Sequence, residues 1–135
     1  MSKESGLGWT TFSVDNAAGS AKDIRNDCTS LNFATPRGVQ DITGLDKSAF
    51  ERLLLLADFT CEAGGVFNDA ADRAHPVLST ASSSNTIRTV SIVVSGQTLT
   101  NECVLTDYSM ARPQSGELTF SAPFSLADGT VPTWS

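Results

Sequence analysis

His75 is the only histidine in the chain, and it alone has an ordinary pKa that lets a side chain exchange a proton near neutral pH. A general base needs a nucleophile to serve and a third group to orient it. His75 stands in a polar run and is followed by Pro76, with no partner at a readable spacing, so it reads as surface. Asp58 and Glu62 are the nearest thing to a carboxylate pair, but four residues along a strand separate them by roughly 13 Å, too far to share a proton. They read as a solvated face. Asp69 and Asp72 lack the DxDxDG spacing and distal glutamate of a calcium loop. Gly6-Leu7-Gly8 and Gly64-Gly65 lack the strand-to-helix setting of a phosphate cradle and read as turn or bulge residues.

Cys28, Cys61 and Cys103 are odd in number and widely spaced, with no CxxC, which fits neither a disulfide framework nor a zinc site. They read as reduced thiols filling small apolar positions in strands, in a protein that folds in a reducing cytoplasm. Trp9 and Trp134 could serve as ligand platforms; the reading preferred here is that they pin the two ends of the chain to its body. The sequence therefore predicts no catalytic, cofactor-binding or metal-ligating residue, and no enzyme.

Positioning even these residues takes a fold, and 135 residues suffice for one domain, 1–135. Only 18% of residues are charged, and 17 Ser and 15 Thr take up the difference, a balance that favours sheets with polar connections. A net charge of -6 argues against binding nucleic acid or an anionic membrane, because phosphate recognition needs a basic footprint. The opening residues carry no apolar signal segment, and the longest aliphatic run, Leu53 to Ala57, is far shorter than a membrane span.

Trp9 to Val14 mixes aromatic and β-branched residues as a strand does, and Ile24 to Ala34 reads as extended. A short extended piece carries Val39 and Ile42. Ser48-Ala49-Phe50-Glu51 fits a capping box, and Ala49, Phe50, Leu53 and Leu54 share the i, i+3, i+4 face of a two-turn helix. From Asp58 the period becomes two, with Phe59, Cys61 and Ala63 on one face. Residues 68–86 show no periodicity and read as a long interaction loop. Thr86 to Val94 and Thr98 to Ser109 form a hairpin about Ser95-Gly96. Leu118, Phe120, Ala122 and Phe124 alternate in a last strand that Pro123 marks as an edge or an ending. Residues 126–135 read as an arm. The class is all-β: an antiparallel sandwich or barrel with one short flanking helix and a long inter-strand loop.

The stretch Gln40-Asp41-Ile42-Thr43-Gly44-Leu45-Asp46-Lys47-Ser48-Ala49-Phe50-Glu51-Arg52-Leu53 resembles the major tail proteins, the tail-tube subunits, of long-tailed phages, particularly those of actinobacteria. Those proteins carry a D-V/I-T-G turn, an E-R-L segment and an L-A-D-F strand opening, here Leu56-Ala57-Asp58-Phe59. Val66-Phe67-Asn68-Asp69, Val93 to Leu99, Leu105-Thr106-Asp107-Tyr108 and Ser125 to Trp134 fit in the same order. The resemblance implies a virion protein, built in the host cytoplasm, whose copies form stacked and typically hexameric rings. One sheet of each copy would join an inner barrel around a lumen, and a long loop and a terminal arm would touch the adjacent ring. It implies a tape-measure protein and a tail terminator as partners, and DNA that passes without specific binding, no membrane being involved. A lumen with acidic excess would repel phosphate, and Glu62, Glu102, Asp107 and Glu117 are the candidates for that wall. A tail terminator, a decoration protein or a ligand-binding β-sandwich are the alternative readings.

Overall fold

The computed structural model describes residues 5–135, so part of the opening segment tested for a signal lies outside the described residues. The strands are β1 (Trp9–Asp15), β2 (Ala21–Asp23), β3 (Cys28–Ala34), β4 (Arg37–Asp41), β5 (Arg52–Ala57), β6 (Thr60–Val66), β7 (Arg88–Val94), β8 (Gln97–Leu105), β9 (Ser109–Ala111) and β10 (Thr119–Leu126). One short helix, α1 (Ala74–Leu78), lies between β6 and β7. Eight strands form one antiparallel sheet in the order β2-β1-β7-β8-β10-β6-β3, with β9 on β10, while β4 and β5 pair separately as a hairpin.

The large sheet folds over on itself. Phe12 of β1 and Phe124 of β10 are separated by β7 and β8, which in a flat sheet would hold them about 14 Å apart. Their ring centroids are instead 6.3 Å apart. Trp9 of β1 likewise meets Phe33 of β3 at 5.4 Å, although these strands stand near opposite ends of the order. The result is a sandwich with one leaf of β2, β1, β7 and the start of β8, and another of β3, β6, β10, β9 and the end of β8. Period-two alternation supplies the core: Val90 and Ile92 from β7, Phe120, Ala122 and Phe124 from β10, and Cys61 and Ala63 from β6 are all buried. Ser95 and Gly96 both take positive φ (51° and 80°), the two-residue turn that hairpin twist prefers.

Three sequence expectations need correction. Ser48 to Leu54 is no helix: Arg52, Leu53 and Leu54 pair with Asp41, Gln40 and Val39. Glu51, instead of reaching back to Ser48, accepts from the Gly44 amide across the hairpin, and its own amide donates to Thr43 Oγ1 at 2.9 Å. A two-turn helix is marginal alone in water, and cross-strand partners outcompete it. The loop over 68–86 is not featureless, since α1 lies inside it. Asp27 accepts from the Ala74 amide at 2.9 Å and from Asn68 at 2.8 Å, fixing one end of the helix. Pro123 does not sit at a sheet edge, because β10 is flanked by β6 on one side and by β8 and β9 on the other. On that second side β8 pairs with Phe124 to Leu126 and β9 with Thr119 to Ser121, so proline's missing N–H falls in the gap between them.

Gly65 has a packing role beyond weakening a strand. A Cβ there would lie 2.0 Å from the Asp27 carbonyl oxygen and 2.9 Å from Cys28 Cα, both backbone atoms. Gly65→Ala is expected to cost about 3 kcal/mol by forcing β3 away from β6, read as a lower urea midpoint at unchanged slope.

Candidate functional site

The described residues hold no group of three or more metal-ligating side chains. His75 packs its ring 4.6 Å from Phe67, and its Nδ1 lies 3.2 Å from the Tyr108 hydroxyl. Burial raises the Tyr108 phenol's pKa, so its hydroxyl keeps its proton at neutral pH. Asp58 accepts from the Phe59 amide, Glu62 from Ser121 Oγ, and Asp72 pairs with Lys22 at 3.4 Å. These residues are scattered over separate surfaces and assemble no reaction centre.

Both tryptophans anchor the body, as expected. Trp9 stacks edge-on to Phe33, and Trp134 meets the same ring at 5.8 Å. The arm returns to its own chain: Ser135 and Thr98 exchange two backbone hydrogen bonds of 2.9 Å, and Trp134 bridges Leu99. It thereby covers the part of β8 that β10 leaves unpaired.

Burial pushes the thiols of Cys28, Cys61 and Cys103 up to about 12, and nearby acidic groups and thiols add to this. All three are free. A folded value raised above the ordinary 9 stabilises the fold fully below pH 9. Unfolded thiolates then draw stability away as pH climbs toward about 12. Melting temperature is therefore expected to fall as pH rises from 9 toward 12, and a thiol reagent just below pH 9 should label the native chain far more slowly than the unfolded one.

The surface that stands out is the β4–β5 hairpin, part of which sequence reading mistook for a helix. No core residue lies between 35 and 58. Leu53, Leu54, Leu55 and Leu56 are all exposed, Leu56 at 91%, and alternation puts apolar side chains on both faces of β5. Leu45 and Phe50 are exposed at the tip. A two-stranded hairpin is marginal by itself in water, and an apolar surface this continuous marks an interaction site. The tip is nevertheless ordered: Thr43 donates to Asp41, which lowers the Asp41 pKa, and Arg37 donates twice to the Leu55 carbonyl. The readable signal was Asp41-Ile42-Thr43-Gly44, a turn sequence with apolar runs on both sides.

A second feature lies in the β3-β6-β10-β9 leaf. Among the described residues β3 pairs only with β6 and β9 only with β10, so each end of the leaf has a free edge. A groove of about 390 Å³, lined in part by Leu7, Trp9, Arg25 and Leu31, runs beside β3. Of the four acidic candidates, Glu62 is on the outer face of this leaf. Glu102 is on the other leaf, where it accepts from Thr89 Oγ1 at 2.7 Å. Asp107 and Glu117 belong to connections between strands.

No protein-family model and no curated protein matches the chain. Solved structures that share its fold include two from gene transfer agent particles. One is described as the tail of an empty gene transfer agent particle with C6 symmetry (15% identity, 98% of each chain, TM-score 0.77). The other is the virion of a native gene transfer agent particle (14% identity, 98% of this chain and 99% of that chain, TM-score 0.78).

Proposed function

We infer that this protein is a structural tail-tube subunit of a phage-like particle, whose copies join edge to edge into rings and stack into a tube. The observation that carries the reading is the leaf with two free edges. Its strands alternate in direction from β3 through β6 and β10 to β9. Four is an even number, so the β9 edge of one copy runs antiparallel to the β3 edge of the next, and a ring of copies keeps an uninterrupted antiparallel sheet. Such head-to-tail contacts close into a ring when the rotation permits. With the C6 symmetry of the similar tail, six copies of four strands would contribute 24 strands.

The leaf's outer face suits a DNA passage. Beside Val66 and Pro123 it presents hydroxyls, the Asn32 amide and Glu62, and none of its four strands contains a lysine or arginine. A phosphate backbone would find no cation there with which to exchange counterions. In this reading Glu62 faces the lumen, the hairpin meets the adjacent ring, and the tape-measure protein and the terminator meet the tube at its lumen and end. The protein resides in the virion tail and does no catalysis. Negative-stain microscopy of the concentrated protein should show rings and tubes with a regular axial repeat. Single rings that never elongate would favour a terminator, and monomers that also fail to add to preformed tails would overturn the reading.

A further inference from the structure

An apolar groove of about 570 Å³ opens at the root of the hairpin, between Leu54, Leu55 and Leu56 on one side and Val131 of the arm on the other, with Arg37 in its wall. We propose that this groove is the seat for the hairpin tip of a second copy, with Leu45 and Phe50 of the incoming tip entering between Leu56 and Val131. The proposal rests on the tail-tube reading and adds the seat to it.

Three observations select this occupant. The groove's size is that of a pocket for a few apolar groups, and the tip offers two large exposed ones. The charges also match. Arg37 uses Nε and one terminal nitrogen on the Leu55 carbonyl, which leaves its other terminal nitrogen without an assigned partner, while the tip carries Asp41, Asp46 and Glu51 against Lys47 and Arg52, the last held over the Phe50 ring. Finally, tip and groove are different surfaces of one chain. A contact between them is heterologous, and directed along the tube axis instead of around it, it repeats from copy to copy and extends a stack without closing. The arm acquires a role without leaving its own chain: its return to Thr98 holds Val131 as one wall of the seat.

Two double variants test the seat and the ring separately: Leu45→Cys with Val131→Cys, and Asn32→Cys with Ser109→Cys, which lie on the outer face of the two leaf edges. Each is treated at high concentration with a short bismaleimide, and the wild type controls for the native thiols. The expected result is an open-ended ladder from the first pair and a ladder that stops at ring size from the second. A ring-sized ladder from the second pair with no ladder from the first overturns the seat and leaves the ring reading standing. A first pair that reacts only within one chain also overturns the seat, and silence from both pairs overturns both proposals. Leu45→Asp provides a check that does not depend on cross-linking: pelletable tubes should fall at least tenfold with circular dichroism unchanged, and wild-type tube yield would overturn the seat.

Discussion

Replacing residues 38–56 with Asn-Gly is expected to leave a folded, more soluble protomer and to abolish stacking. Arg37 and Ala57 are paired across the hairpin, so a two-residue turn between them closes the chain where the ladder already brings it together. Nothing in the core is lost, since none of the buried cluster comes from this segment. Shortening the connection from 19 residues to two removes a little over three doublings of loop length, which favours the folded state by about 2 kcal/mol at most. The exposed leucines of β5, a standing aggregation hazard in the monomer, go with it. Thermal melting should move little, while pelletable tubes fall to background and rings joined through β3 and β9 remain. Tubes at wild-type yield would show that the hairpin is dispensable, and an unfolded product would show that it supports the body.

The hairpin also explains where sequence reading failed. Ala49, Phe50, Leu53 and Leu54 have helical spacing, and a run of four leucines shows the same periodicity whether buried in a helix or exposed on a strand. What separates the two cases is the partner: β4 within the chain and, on the reading above, another copy outside it. A surface completed by other molecules cannot announce itself through the burial pattern of one chain. The body was legible because its partners lie within it. Phe120, Ala122 and Phe124 alternate as they are buried, Ser95-Gly96 turns as its residue types require, and both tryptophans meet Phe33. The helix α1 was missed for a third reason. Five residues with one proline carry almost no periodic signal, and its fixed position comes from Asp27 and Arg88, charged residues that lie outside it in sequence.

Arg88→Met is expected to cost about 3 kcal/mol and to loosen residues 74–86 ahead of the rest of the chain. Arg88 is 1% exposed, and no carboxylate lies within ion-pair distance among the described residues. Its guanidinium donates to the Val77 carbonyl at 2.6 Å, the Asp15 carbonyl at 3.0 Å and Thr80 Oγ1. These acceptors belong to the end of α1, the turn that follows it and the end of β1, so one side chain ties the helix segment to the first leaf. Burial disfavours the charge, while Asp15 nearby favours it. Methionine fills similar space but leaves buried carbonyls without donors, and that desolvation loss outweighs the gain from removing a buried cation. Lysine should not restore stability, because a single ammonium cannot span three acceptors that the planar guanidinium reaches together. Hydrogen exchange provides the decisive reading. If the clamp is as described, amides in 74–86 lose protection in Arg88→Met while those of β6 and β10 change only with global stability. Uniform loss across the chain would instead make Arg88 an ordinary core residue, with no special hold on the helix.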